Sequence, residues 1–170
     1  MKILHLSNSD LDGGGSVVTY RLHAALIKKK NIDSKIYVNN KISNDKNVII
    51  KKSTLENCKG LLKNSIVFQL RKFLKINHPG TLSLNLFSSK ILNDIEKIPK
   101  DIIHLHSINK EMLSIKQISN IKKPIVWTFM DMWPLCGAEH YSEKEDFIYG
   151  YKSKKFFDLN YWTWIRKKKF

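Results

Sequence analysis

The feature that most constrains the fold is an ordered pattern at the start of the chain: a short apolar run, a glycine-rich loop, a helix and a second apolar run. Residues 2–6 (KILHL) and 34–38 (SKIYV) are predicted to be strands, and residues 16–30 between them are predicted to form a helix. This order predicts a βαβ unit with parallel strands and a right-handed crossover. We expect one apolar face of the helix to pack on the sheet: Val18, Leu22, Ala25 and Leu26.

The same pattern recurs in the second half of the chain. Residues 101–106 and 124–129 have the apolar character of strands, and the helix predicted over residues 109–121 lies between them. A shorter helix with a serine cap is predicted over residues 88–98. Two βαβ units favour an α/β fold with a Rossmann-like parallel sheet and helices on both faces.

The remaining segments set the domain organisation. Residues 39–63 lack periodicity and are predicted to be an exposed connection, whereas residues 65–76 carry Ile66, Leu70, Phe73 and Leu74 at helical spacing. Residues 1–150 therefore form the predicted Rossmann-like domain. Residues 151–170 are aromatic and basic, a composition that suits either packing on protein or contact with an anionic membrane.

Charge and composition exclude several classes of protein. The 30 basic and 15 acidic residues give a net charge of +15, but the lysines are scattered, which disfavours a nucleic-acid-binding protein. Cys58 and Cys136 are far apart and form no C-x-x-C pair, so no disulfide framework is expected. No signal-peptide pattern and no apolar run of about 20 residues occurs. We expect a cytoplasmic protein.

The three consecutive glycines, Gly13, Gly14 and Gly15, are the first candidate site. A glycine turn between a strand and a helix lets an anion approach free N–H groups and the positive end of the helix dipole. The spacing is neither G-x-G-x-x-G nor G-x-x-x-x-G-K-[ST], which disfavours a dinucleotide-dependent oxidoreductase and a P-loop NTPase. A flexible turn without a ligand is the alternative.

A second group of candidates follows the later strands, at the edge where parallel sheets bind ligands. His104 and His106 are two residues apart and therefore share one face of their strand, and Asn109 lies just beyond. His106 is expected either to bond a sugar hydroxyl or phosphate or to be a core histidine. Asp131 and Trp133 follow the last strand and suit a carbohydrate surface, or they cap the core.

Two other chemistries find little support in the sequence. Cys136 and His140 have C-x-x-x-H spacing, but no second ligand pair accompanies them, so no metal site is predicted. No G-x-S-x-G motif marks a serine nucleophile.

Five segments, taken in order, resemble the N-terminal half of family 4-like glycosyltransferases that build bacterial capsular, exopolysaccharide or colanic-acid-type glycans. The most specific are H-x-H-x-I-N at residues 104–109 and W-T-x-x-D-M-W-P at residues 127–134. The others are residues 1–26, 83–87 and 162–170.

The resemblance implies one half of a GT-B fold: an acceptor-side domain that works with a donor-binding C-terminal domain missing from this sequence. Such enzymes transfer a sugar, with retention of configuration, from a nucleotide-sugar to a glycan or lipid-linked acceptor, without a cofactor or an essential metal. The domain is expected in the cytoplasm, with peripheral contact to the inner face of an anionic membrane as a further expectation.

The resemblance also implies roles for individual residues. Gly13, Gly14 and Gly15 match the loop near the donor diphosphate, His106 and Asn109 match the acceptor side, and Asp131 and Trp133 match the loop beside the reaction centre. Asp131 is the candidate catalytic residue. Met130 stands where the family has a histidine that positions the donor sugar, and methionine makes no strong hydrogen bond. A catalytically inactive remnant or binding module of the same fold is therefore the alternative.

Overall fold

The computed structural model describes residues 1–50, 65–66, 68–69, 80–142, 145–151 and 158–169. Cys58 and most of the helix predicted over residues 65–76 lie outside these ranges. The strands are β1 (Lys2–Ser9), β2 (Asp33–Asn40), β3 (Val48–Ile50), β4 (Ile102–Leu105) and β5 (Ile125–Trp127). The helices are α1 (Gly14–Leu26), α2 (Ile91–Glu96), α3 (Ile115–Ser119), a 3₁₀ turn (Glu145–Phe147) and α4 (Leu159–Lys169).

The five strands form one parallel sheet in the order β3-β2-β1-β4-β5. The order places β1 at the centre, with β2 on one side and β4 on the other. The chain first moves outward from β1 to β3 and then crosses back to β4, so right-handed crossovers put helices on opposite faces. The predicted α/β, Rossmann-like class is confirmed.

Three elements differ from the sequence prediction. The helix predicted over residues 88–98 is α2, and its N-cap is Lys90 without a side-chain hydrogen bond, so the predicted serine cap is wrong. The stretch predicted to be an exposed connection contains β3, a strand of three residues that the sequence does not separate from the polar residues around it. The helix predicted over residues 109–121 is reduced to α3. It begins only after Ser114, whose side chain accepts the Gln117 amide in a capping box. Lys110 and Glu111, before this cap, have positive φ angles of 57° each and cannot continue a helix.

The main core lies on the face of the sheet that α2 and α3 cover. Its buried side chains come from β1, β2, β4, both helices and the loops around them: Leu4, Leu6, Tyr37, Ile91, Ile95, Ile103, Leu105, Ile108, Met112, Leu113, Ile115 and Trp133. Burial of each large apolar side chain contributes roughly 1.5–3 kcal/mol. This face therefore supplies most of the hydrophobic stabilisation.

The opposite face, under α1, is polar near the centre of the sheet. The buried side chains of α1 are Ser16, Thr19 and His23, whereas Val18 is 49% exposed. Ala25 is also exposed. The predicted apolar contact face of this helix is therefore wrong. The helix is rotated so that polar side chains meet the polar side chains of β1, β2 and β4.

Hydrogen bonds replace apolar packing in this polar layer. The Ser34 hydroxyl lies 3.1 Å from Nε2 of His5 and 2.8 Å from Nδ1 of His23. Nδ1 of His5 lies 2.9 Å from Nε2 of His106. These groups are buried, so each bond avoids the cost of leaving a polar atom unpaired away from water.

The described part of the aromatic and basic C-terminal segment packs on this same domain. Arg166 donates hydrogen bonds to the carbonyl oxygens of Leu84 and Asn85. The Lys167 ammonium donates to three carbonyl oxygens, two of them in residues 136–137, and lies 3.7 Å from the centre of the Trp133 ring. No helix within the described ranges is both long enough and apolar enough to span a bilayer.

The buried histidines predict a loss of stability in mild acid. Burial, with nearby imidazoles, lowers the pKa of His5 and of His106 from 6.5 to about 3. Both stay neutral in the folded protein at pH values where the unfolded chain is protonated. Stability is therefore full above about pH 7 and falls as the pH drops through 6.5. Between about pH 7.5 and about pH 5.5 we expect urea titrations to show a loss of about 3 kcal/mol.

The variant His106→Gln provides the control, because only the change with pH is compared and not the absolute stability. It is expected to reduce the pH-dependent loss by about 1.4 kcal/mol, the contribution of one such imidazole over this range. An unchanged unfolding free energy across this range in the parent protein would contradict a neutral histidine layer.

Candidate functional site

A cavity of about 250 Å³ lies at the carboxyl edge of the sheet, between the loop that follows β1 and the loop that follows β4. Its lining is polar: Asn8, Asp12, Gly13, Gly14, Gly15, Ser16, Thr81, Ser83, Ser107, Asn109, Lys110 and His140. Ligands of open parallel sheets bind at this edge, because the loops after neighbouring strands meet there.

The glycine loop forms one wall of the cavity with bare backbone. Gly13 has a φ of 83°, which favours glycine, and a Cβ added to Gly14 would meet no atom within 4 Å. A Cβ on Gly15 would clash with Oγ of Ser107, so the Ser107 side chain would have to move to accommodate a larger residue at this position. Within the described part of the chain, the amides of Gly14, Gly15 and Ser16 have no acceptor and no side-chain cap. These amides are available to an anion.

Ser83 and His140 belong to the opposite wall, and Asp131 lies behind His140 without lining the cavity. Nδ1 of His140 lies 2.6 Å from Oδ2 of Asp131, and Nε2 lies 2.9 Å from Oγ of Ser83. Because a carboxylate only accepts hydrogen bonds, Nδ1 carries the proton and Nε2 is free to accept from the Ser83 hydroxyl. The arrangement is the hydroxyl–imidazole–carboxylate order of an activated nucleophile.

Asp131 holds this wall in position. Its Oδ1 accepts the amide of Trp133 at 2.9 Å, and its Oδ2 also accepts from Nδ2 of Asn109 at 3.3 Å. Burial raises the pKa of Asp131, but the hydrogen bonds and charge of His140, with the bonds from Trp133 and Asn109, outweigh it and lower the pKa overall. The carboxylate is therefore ionised near neutral pH and orients both His140 and Asn109.

The structure brings most of the candidate residues predicted from sequence to this cavity. Gly13, Gly14, Gly15 and Asn109 line it, and Asp131 supports Asn109 from behind. His106 and Trp133 lie elsewhere. His106 is 3% exposed and belongs to the polar layer under α1.

Trp133 is 1% exposed and donates from Nε1 to the carbonyl of Ser83 at 2.8 Å. Its described contacts are those of a core residue. Met130 is near the site, because its side chain is 3.3 Å from the position of a Cβ on Gly15.

Sequence reasoning missed Ser83, Lys110 and the role of His140. Ser83 lies beside an isolated antiparallel bridge between Leu82 and Glu139, which joins residues 57 positions apart in sequence. The spacing of residues that are close in sequence cannot predict such a contact. The only sequence signal is the histidine itself, which the sequence places on the same edge loop as Asp131 and at C-x-x-x-H spacing from Cys136, but does not connect with Ser83.

A second cavity of about 230 Å³ lies on the other side of Trp133, among Ile115, Ile118, Trp127, Pro134 and Lys167. Its walls are mainly apolar, and the Lys167 ammonium is already hydrogen-bonded to three carbonyl groups. It offers few groups that could recognise a charged or polyhydroxylated ligand. The polar cavity at the glycine loop is therefore the better candidate site.

The contact between Asp131 and His140 predicts that these two side chains are strongly coupled in their effect on the free energy of unfolding. Asp131→Ala and His140→Phe should each destabilise the protein, because each leaves the other polar group partly buried without its partner. In a double-mutant cycle measured by urea unfolding, we expect a coupling free energy of about 1–3 kcal/mol.

The exposed Asp33 begins β2 at the opposite edge of the sheet and provides the control pair. Asp33→Ala and His140→Phe should be additive within about 0.5 kcal/mol. Additivity of the Asp131 and His140 variants themselves would show that their contact does not stabilise the site.

Comparisons of the chain with protein-family models, with curated proteins and with solved structures found no match. The glycosyltransferase resemblance thus rests on the segments quoted from the sequence and stays a prediction.

Proposed function

We propose that the chain is the acceptor-side domain of a retaining GT-B glycosyltransferase. The proposed reaction transfers a sugar from a nucleotide-sugar to a glycan or lipid-linked acceptor in surface polysaccharide synthesis. The observation that carries the proposal is the polar cavity, which is lined both by the glycine loop, whose helix amides have no acceptor among the described residues, and by hydroxyl, amide and imidazole side chains. A phosphorylated sugar needs amide donors for its phosphate and polar side chains for its hydroxyl groups.

The glycine wall suits the diphosphate of the donor. The amides of Gly14, Gly15 and Ser16 lie at the positive end of the α1 dipole, and Lys110 adds a cation to the lining. Dipole contributions of this kind are about 0.3–1 kcal/mol each. During transfer they would favour the negative charge that develops on the leaving diphosphate.

The opposite wall suits a sugar. Thr81, Ser83 and Ser107 supply hydroxyl groups, and Asn109 supplies an amide that both donates and accepts hydrogen bonds. Asp131 orients Asn109 and His140, so these side chains are preorganised rather than free to rotate. Preorganised donors and acceptors recognise hydroxyl groups at a lower entropic cost.

The proposed enzyme requires a donor-binding domain to enclose the nucleotide, because a ligand held by one wall of a cleft remains largely solvated. Met130 lies next to Gly15. In the glycosyltransferase family that the sequence resembles, the position of Met130 is a histidine that positions the donor sugar. A catalytically inactive binding module therefore remains the alternative within the same fold. Activity of Met130→His, joined to a donor-binding domain, separates the two.

The proposed location is the cytoplasm, where the domain would contact the inner face of the membrane. Trp162 and Ile165 are 51% and 40% exposed on α4, and the exposed Lys168 and Lys169 follow them. Exposed aromatic and basic side chains on one helix suit an anionic interface. Binding to vesicles with and without anionic lipid measures this contact.

The variant Gly14→Val tests phosphate binding at the glycine wall. A Cβ at this position meets no protein atom within 4 Å, so the variant should fold, while its side chain occupies the space that the anion needs. We expect UDP or GDP to raise the melting temperature of the parent protein and to have no effect on the variant.

Ala25→Val, on the exposed far end of the same helix, is the matched control and should respond as the parent does. If UDP or GDP raises the melting temperature of Gly14→Val as much as that of the parent, the anion does not bind at the glycine wall.

The Ser83–His140–Asp131 arrangement favours a second candidate function, hydrolysis of an ester through a covalent serine intermediate. In that reaction Oγ of Ser83 attacks the carbonyl carbon, Nε2 of His140 takes the hydroxyl proton and then delivers it to the leaving alcohol, and water releases the acid. Free amides of the glycine loop would act as the oxyanion donors.

A fluorophosphonate probe tests this second function directly. The hydrolase predicts one phosphonyl group per chain, attached to Ser83 with loss of fluoride, and no labelling of Ser83→Ala. Absence of labelling in the parent protein excludes an activated serine and leaves Ser83 as a binding group.

A further inference from the structure

Three histidines cluster in the polar layer under α1, away from the cavity walls described above. His5 of β1 and His104 of β4 are direct neighbours across the two strands, and His106 follows two residues later on the same face. One ring nitrogen from each histidine lies within 4.8 Å of the other two. The rings of His104 and His106 are 4.0 Å apart between centres, and His5 is 5.0 Å and 5.2 Å from them.

A chain of polar contacts fixes the protons of this cluster. Nε2 of His23 lies 3.5 Å from Oδ2 of Asp45, outside hydrogen-bond geometry, and the nearby carboxylate favours the tautomer with the proton on this nitrogen. Nδ1 of His23 must then accept from the Ser34 hydroxyl, whose oxygen accepts from Nε2–H of His5. Nδ1 of His5 is consequently bare and accepts from Nε2–H of His106.

The chain leaves Nδ1 of His106 without a hydrogen-bond partner, and Nε2 of His23 makes only the 3.5 Å contact with Asp45. Because Nε2 of His106 carries the proton, Nδ1 of His106 is a bare lone pair, and it is buried with no donor among the described residues. An unsatisfied buried lone pair is costly, and a neutral imidazole with a bare nitrogen is the form in which histidine binds a transition metal. The layer therefore carries an unsatisfied acceptor beside two further imidazoles.

We propose that His5, His104 and His106 bind one divalent transition-metal ion of the zinc type. Imidazole nitrogen suits zinc, nickel, copper and cobalt, whereas calcium and magnesium prefer oxygen. Three histidines are sufficient protein ligands for a zinc ion that keeps a fourth position open. Metal binding requires the rings to turn until one nitrogen of each lies at the usual zinc–nitrogen distance of about 2.0–2.1 Å, and it replaces the hydrogen bond between His5 and His106.

Two further features of the layer suit a metal. The contacts from His5 through Ser34 and His23 to Asp45 form the outer shell that metal-binding histidines require, because they fix the ring and end on a carboxylate. His104 is only half-buried, and its Nε2 lies 2.8 Å from Oγ1 of Thr128, an outer-shell contact that leaves Nδ1 as its ligand atom.

Cobalt titration of the full chain, stripped of metal with a chelator and then dialysed at about pH 7.5, tests the proposal. We expect one Co²⁺ per chain, the intense visible absorption of a four-coordinate ion, and competition by Zn²⁺. Zn²⁺ alone should raise the melting temperature.

The variants His104→Gln and His106→Gln should each weaken Co²⁺ affinity by more than about 10–100-fold, the loss that removal of an outer-shell partner already causes. Because His104 is half-buried, its variant is expected to fold, which circular dichroism checks. His140→Gln, which lies outside the cluster, should bind Co²⁺ with the affinity of the parent protein.

Weak, six-coordinate cobalt, or equal binding by His104→Gln and the parent, would identify adventitious binding and overturn the proposal. If the parent protein binds one Co²⁺ per chain but does not bind UDP, the function proposed for the polar cavity is overturned and the metal site is supported.

Discussion

The parallel pairing of β1 with β2 on one side and β4 on the other is the constraint on which the rest of the structure depends. Because β1 is central and its neighbours run in the same direction, the loops after β1 and β4 meet at one edge of the sheet. That edge holds the glycine loop and Asn109. The same register sets His5 beside His104 within the sheet. One set of backbone hydrogen bonds thus positions both the cavity and the histidine cluster.

The two faces of this sheet are stabilised in different ways. The face toward α2 and α3 is apolar and supplies hydrophobic stabilisation that is nearly independent of pH. The face toward α1 buries His5, Ser34 and His23, whose bonds only offset the cost of removing polar groups from water. Apolar side chains packed at the same positions would be buried at a lower free energy cost. The polar layer is therefore more readily explained by a ligand or by sensitivity to pH than by stability alone.

The sequence was sufficient for the fold class but not for every element. Two strand–helix–strand patterns predict a parallel sheet because strand and helix periodicities differ clearly over these lengths. The three residues of β3 are too few to show any periodicity. The contact face of α1 was predicted wrongly because hydrophobic periodicity assumes an apolar partner, whereas the central strands present His5, His104 and His106 to this helix.

The candidate site was predicted only where it is local in sequence. Glycines between a strand and a helix, and polar residues just after a strand, have a physical reason to lie at the carboxyl edge, and Gly14, Asn109 and Asp131 follow it. Ser83 reaches His140 through a bridge between distant segments, and only the folded chain reveals that contact. The proton arrangement in the histidine layer likewise depends on Asp45, which no motif connects with His5.

The central claim is that the free amides at the start of α1 bind an anionic group. Amide ¹H–¹⁵N spectra recorded during titration with GDP or UDP measure this residue by residue. The account predicts saturable shifts centred on Gly14, Gly15 and Ser16, with smaller shifts at Asn109 and Lys110. Saturable shifts centred on another part of the chain, or none at these amides up to millimolar ligand, would contradict it.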